Sequence, residues 1–194
     1  AGRVVGELDA LGIRDNTIVI YIFGDNGASA EGQSGTISEL LAQNQIPNTV
    51  QQQLEALDQL GGLPALGGPQ VDNMYHASWA WAGDTPFRYT KLVASHFGGT
   101  RNPMVVSWPK RIQPDKTPRS QFHHVNDIAP TLYEILGIEP PKVVDGFEQD
   151  PIDGTSMAYT FADANAAGRK DTQYFDNNGS RGIYQDGWYA CTFG

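Results

Sequence analysis

Cysteine is nearly missing. The 194-residue chain holds one, Cys191, so an internal disulfide framework is excluded and the fold must rest on packing. Long apolar runs are missing too: none approaches the roughly 20 residues that cross a bilayer. The first residues read as neither a signal peptide nor an anchor, so a soluble protein is expected, with no membrane partner and with the cytoplasm ahead of the periplasm. Positive charge is short as well. Thirteen Lys and Arg face 22 Asp and Glu, and a net charge of -9 repels polyanions, which argues against nucleic acid as a partner. The shortage reverses locally, because Arg88, Lys91, Arg101, Lys110, Arg111, Lys116 and Arg119 are opposed over that span by Asp115 alone. That segment reads either as a solvated basic edge or as a surface for a small anion.

What is present is globular in character. Hydrophobic residues make up 40 % of the chain, and its 22 glycines and 12 prolines are scattered as punctuation instead of forming a repeat. Val4, Leu8 and Leu11 recur at helical spacing before Gly12, which predicts an opening amphipathic helix. Ile18 to Phe23 then run without polar alternation, which predicts a strand buried on both faces of a largely parallel sheet. Thr36 to Glu39 have capping-box spacing and predict a brief helix to about Asn44. Ile46, Val50, Leu54, Leu57 and Leu60 predict another, stopped at Gly61-Gly62. Residues 28–75 therefore read as a helical insertion, placed to shape substrate access directly after Asp25-Asn26.

Met104 to Trp108 predict a second strand, and Asp127-Ile128-Ala129-Pro130 start a helix that ends at Gly137. A turn is expected at Asp153-Gly154 and a small helix near Ala158 to Phe161. The tail alternates strand-like runs with Asn-Gly and Asp-Gly turns, an antiparallel meander. The fold class is thus α/β. Two buried strands do not make a sheet, so the reading is an incomplete domain of a longer polypeptide: residues 1–170 in the main body and 171–194 opening a C-terminal antiparallel subdomain.

The strand at 18–23 stops abruptly at Gly24-Asp25-Asn26-Gly27. Ligands gather at the carboxyl ends of strands in open α/β sheets, and two adjacent oxygen donors suit a hard cation such as calcium. The same Asn-Gly is also the commonest hairpin turn, and local sequence leaves both readings open.

Four separated blocks carry more. DNTIVIYIFGDNGASAEG, NMYHASWAWAGDTPFRYTKLVASHFGGTRNPMVVSWP, FHHVNDIAPTLYEILGIEPP and GSRGIYQDGWYACT together resemble, in order, the type I sulfatases of the alkaline phosphatase superfamily, long bacterial arylsulfatases above all. The resemblance implies part of an alkaline-phosphatase-like sheet flanked by helices. It also implies that Asp25 and Asn26 are calcium ligands and that Lys91, in TPFRYTK, contacts the sulfate of a small-molecule sulfate ester. Where many members have a glutamate immediately before the double glycine, this chain reads His96-Phe97-Gly98-Gly99, and His96 is a candidate sulfate contact or proton donor set against a packed structural histidine. Arg101 is expected to orient that loop through its five donors. Asp127 is expected to cap a helix, against a metal site with His123 and His124, and His76 to line a pocket wall or pack among Tyr75, Trp79 and Trp81.

The family nucleophile is a formylglycine made from the cysteine or serine of a Cys-x-Pro/Ala-x-Arg segment. Cys191 offers no such segment and reads as an ordinary buried thiol. The implied enzyme is therefore a sulfuric ester hydrolase whose nucleophile and remaining calcium ligands come from the rest of the polypeptide, this chain alone being inactive. A phosphoester or phosphonate hydrolase of the same superfamily and a non-catalytic assembly remnant are the rival readings.

Overall fold

The structure is a computed structural model that describes residues 1–24, 28–33, 37, 41, 44–71 and 74–192. The predicted opening helix is α1, Gly2–Ala10. It buries none of its residues, and Val4 is 65 % exposed. A 3-10 turn at Arg14–Asn16 leads to β1, Val19–Ile22, which pairs with β2, Met104–Ser107. Arg14 strengthens the junction by donating to the Thr17 carbonyl at 3.0 Å and to the Ser107 hydroxyl.

The expectation of double burial for β1 is corrected. Tyr21 and Ile22 are 44 % and 38 % exposed, because β2 is the one strand bonded to β1 among the described residues. Burial on both faces needs neighbours and covering helices that the described residues do not bring to β1.

The helix predicted from Ile46 begins later, as α2, Val50–Gln59. Pro47 disfavours the helical region for Ile46, and Thr49 starts the helix instead through a capping box, accepting from the Gln52 N–H while Gln52 accepts from the Thr49 N–H. Leu57 of α2 packs with Ala65 and Val71, and Ile37 lies against them. The helix predicted from Thr36 to Asn44 falls largely outside the described residues.

Next come α3, Ala77–Asp84, and α4, Ile128–Leu136, whose Gly137 adopts the left-handed cap that suits glycine. A hairpin missed by the sequence reading, β3 (Val143–Val144) and β4 (Phe147–Glu148), pairs antiparallel across Asp145-Gly146. The predicted meander is present as β5 (Thr172–Asn177), β6 (Ser180–Gln185) and β7 (Trp188–Thr192), in spatial order β5-β6-β7. Both of its turns have two residues at positive φ, Asn178-Gly179 and Asp186-Gly187, the type I′ geometry that matches strand twist.

The chain divides into two compact units: Ala1–Tyr21, Met104–Gln173 and Ile183–Tyr189 form one, and Ile22–Pro103, Tyr174–Gly182 and Ala190–Gly194 the other. The first unit is organised around a buried ion pair. Asp127 is fully buried, and its carboxylate accepts from Lys170 Nζ at 2.8 Å, the Thr155 N–H at 2.8 Å, the His124 N–H at 2.9 Å and His123 Nδ1 at 3.2 Å. Asp127 does precede α4, but its side chain bonds backward to His124 and not to the helix, which corrects the capping expectation.

In place of the alternative metal grouping with His123 and His124, the Asp127 carboxylate takes its bonds from these four protein donors. Asp153-Gly154 form no turn. Gly154 is required there by close approach, because a Cβ would stand 2.0 Å from the Asn126 carbonyl oxygen.

Candidate active-site loop

The second unit contains the loop that carries Lys91, and backbone crowding explains its shape. Tyr89 and Leu92, on either side of Lys91, have φ values of 62° and 79°, costly for residues with a Cβ. The carbonyls of this loop point onto the double glycine. A Cβ on Gly98 would lie 1.9 Å from the Tyr89 oxygen and 2.4 Å from that of Arg88, and one on Gly99 would lie 2.3 Å from the Val93 oxygen. The Gly98 N–H donates to the Arg88 carbonyl at 3.0 Å, so the contact is a bonded one. Gly-Gly is therefore the seat on which the lysine loop rests.

Gly98→Ala is expected to lower the thermal midpoint of the full-length protein by displacing that loop, at a cost of about 1–3 kcal/mol. Gly168→Ala, where an added Cβ meets nothing within 4 Å, should leave the melt unchanged.

Lys91 reaches back to the segment that follows Asp25-Asn26. Its N–H donates to the Ala28 carbonyl at 3.0 Å, and its ammonium pairs with Glu31 Oε1 at 3.0 Å, the side chains being 27 % and 38 % exposed. Glu31 also accepts from the Ser29 hydroxyl. Sequence reading missed Glu31, although it stands within the first block, six residues after Asp25.

Asp84 was also missed. It ends α3 and grips the other side of the same peptide region, accepting from the Ala28 N–H. Its second oxygen, Oδ2, is buried with no hydrogen-bond partner among the described residues. Burial pushes the Asp84 carboxyl up from its ordinary value, against the lowering effect of the Ala28 bond. Ala28 is thus held at its N–H by Asp84 and at its carbonyl by Lys91, which brings the first two sequence blocks together.

Asp25 and Asn26 themselves lie outside the described residues. Among the described residues no group of three or more His, Cys, Asp or Glu is arranged to hold a metal ion. The nearby carboxylates have other partners: Glu31 has Lys91, and Asp84 has the Ala28 N–H.

His96 starts the 3-10 turn Phe97–Gly99 and contacts the lysine loop through Tyr89, ring centroids 4.4 Å apart. Burial first, and then the positive charge of Arg88, push its imidazole down from the ordinary value, so the neutral ring is favoured. Arg101 orients the loop differently from the sequence expectation. Its guanidinium stacks over the Phe87 ring at 4.8 Å, a cation–π contact.

Other sequence-level candidates fall elsewhere. His76 is the N-cap of α3, its Nδ1 accepting from the Ser78 N–H at 3.0 Å, and it does not pack in a core with Trp79 and Trp81, which are 67 % and 53 % exposed. Cys191 is exposed on β7, so the buried-thiol expectation is corrected. No described helix is long and apolar enough to cross a membrane.

No curated protein matches the chain. A solved structure described as "Metabolism of multiple glycosaminoglycans by Bacteroides thetaiotaomicron is orchestrated by a versatile core genetic locus (BT33336S-sulf)" matches with a TM-score of 0.58 at 20 % identity. The match covers 98 % of this chain and 30 % of that one, so the shared feature is the fold of one part of a larger molecule. The family model described as Sulfatase matches residues 1–138, the range that includes Lys91, Gly98-Gly99 and the Asp25-Asn26 pair. On that match the chain belongs to the sulfatase family.

Proposed function

We propose that the complete protein of which this chain is a part hydrolyses sulfate monoesters, with Lys91 as the cation that meets the sulfate group. The observation that carries this reading is the bond from the Lys91 N–H to Ala28, which joins the lysine block to the segment following Asp25-Asn26. An ammonium at that position offers a compact point charge to the sulfate oxygens, and its effect grows as charge develops on them. Glu31 holds the ammonium before substrate arrives, and the incoming sulfate takes over that partner.

Calcium, with Asp25 and Asn26 among its ligands, belongs to the same proposal. When bound it supplies positive charge close to the reacting sulfur. The formylglycine nucleophile and further metal ligands come from the remainder of the polypeptide, so the 194-residue chain alone is expected to show no turnover. His96 supplies a hydrogen-bond donor on the same loop.

The test is hydrolysis of 4-nitrophenyl sulfate, 4-nitrophenyl phosphate and a sulfated sugar by the complete protein. The sugar is included because the structural neighbour is described in the context of glycosaminoglycan metabolism. Faster turnover of the sulfates supports the proposal. Preference for phosphate makes the protein a phosphoester hydrolase of the same architecture, and inactivity toward all three makes it a binding or assembly module.

A further inference from the structure

A chain of three side chains runs from strand β6 to His96 inside the second unit. Ser180 is 6 % exposed and Ser95 is 2 % exposed, so neither hydroxyl relies on solvent for its bonds. Ser180 Oγ accepts from the Ser95 N–H at 3.0 Å and donates to Ser95 Oγ at 3.0 Å. Ser95 Oγ lies 2.9 Å from His96 Nδ1.

The protons in this chain can be counted. A serine hydroxyl has one proton to give. Ser180 gives its proton to Ser95 Oγ, and among the described residues the one other group within hydrogen-bond reach of Ser95 Oγ is His96 Nδ1, the natural destination of the Ser95 proton. That nitrogen is then the acceptor, and in a neutral imidazole the proton must sit on the other nitrogen. The surroundings of the ring agree with neutrality, since burial and then the Arg88 cation both disfavour the charged imidazole.

We propose that Ser95 and Ser180 are positioning residues that hold His96 as the neutral tautomer with its proton on Nε2, making Nε2–H a hydrogen-bond donor on the Lys91 loop. Ser180 acts through Ser95, so the C-terminal meander sets the polarity of a side chain in the candidate active site. The tautomer stands on the hydrogen bonds alone. Its use toward a sulfate oxygen rests on the function proposed above.

Two measurements on the complete protein test the idea separately. In the first, histidines are labelled with nitrogen-15, the His96 signals are assigned by their loss in His96→Gln, and two-bond proton–nitrogen spectra report which nitrogen carries the proton. A single Nε2–H form is expected, converting to a mixture in Ser95→Ala and Ser180→Ala and retained in Ser180→Thr, which keeps the hydroxyl. A proton on Nδ1 in the unmodified protein, or an unchanged tautomer in a folded Ser95→Ala protein, overturns the proposal. Ser95→Ala serves here because it keeps the Ser95 N–H bond to Ser180 and so perturbs folding least.

The second measurement is kcat for 4-nitrophenyl sulfate. Ser180→Ala is expected to lower it about tenfold, the scale on which partners that orient a histidine act. In the His96→Gln background, where an amide replaces the ring and no tautomer remains to be set, Ser180→Ala should cause no further loss. An equal loss in both backgrounds means that Ser180 acts on the fold alone and sinks the proposal. If the unmodified protein lacks sulfatase activity while the spectra show Nε2–H, the proposed function fails and the tautomer assignment survives.

Discussion

If the proposed sulfatase function holds, Lys91→Ala in the complete protein is expected to lower kcat for an aryl sulfate by about 10²- to 10³-fold, the scale on which removing one aimed donor to a developing oxyanion acts. Folding should hardly notice. The Lys91–Glu31 pair is partly exposed, and such pairs contribute about 0–1 kcal/mol, so the thermal midpoint of Lys91→Ala should stay close to that of the unmodified protein. Lys91→Arg is not expected to rescue the rate, because a broad planar fork replaces a point charge on a loop already committed in shape by Tyr89 and Leu92. Steady-state kinetics together with a melting curve decide the matter. A loss of stability matching the loss of rate would reassign Lys91 to the scaffold.

Asp127→Ala should have the largest effect on stability, a loss of about 3–5 kcal/mol in urea denaturation, because it strands the Lys170 ammonium in the interior. The lysine side chain is 3 % exposed, and its ammonium also donates to Asn126 Oδ1 at 3.2 Å. Combining Asp127→Asn with Lys170→Met should cost less than the two single changes added together, since the double variant leaves no uncompensated charge.

The same carboxylate sets an acid limit. Burial works to raise its pKa, but bonds from His123, Lys170, the His124 N–H and the Thr155 N–H outweigh that effect and hold it well below the usual carboxylate range. For a group depressed on folding, the stabilisation is present above the unfolded-state value of about 4 and drains away as pH falls toward the folded one. Urea midpoints measured from pH 7 downward should therefore decline below about pH 4, and the decline should be shallower in Asp127→Asn.

The elements legible in the sequence were those with strong local chemistry. Asn178-Gly179 and Asp186-Gly187 announced their turns because only particular residues tolerate two successive positive φ values. Gly137 announced the end of α4 for the same reason. Asp145-Gly146 carried an equal signal, yet the strands beside it are two residues each, too short for any periodicity to register.

The site was legible only as separate blocks. Lys91 could be named from TPFRYTK, but its contact with Ala28 joins residues more than sixty positions apart, and no local pattern encodes such a meeting. Glu31, Asp84, Ser95 and Ser180 escaped notice because an isolated carboxylate or serine is ordinary until its neighbours are known. Asp127 was placed correctly in the chain but given the wrong partners. A capping pattern specifies position, whereas the Lys170 contact comes from forty-three residues downstream.

The crowding of the Arg88, Tyr89 and Val93 carbonyls onto Gly98 and Gly99 has a thermodynamic corollary for ligand capture. Conformational entropy that a floppy cationic arm would surrender on meeting its anion has been surrendered at folding. Sulfate-like inhibitors should consequently bind with a small entropic penalty, and calorimetry would find that penalty restored once the two glycines no longer lock the arm.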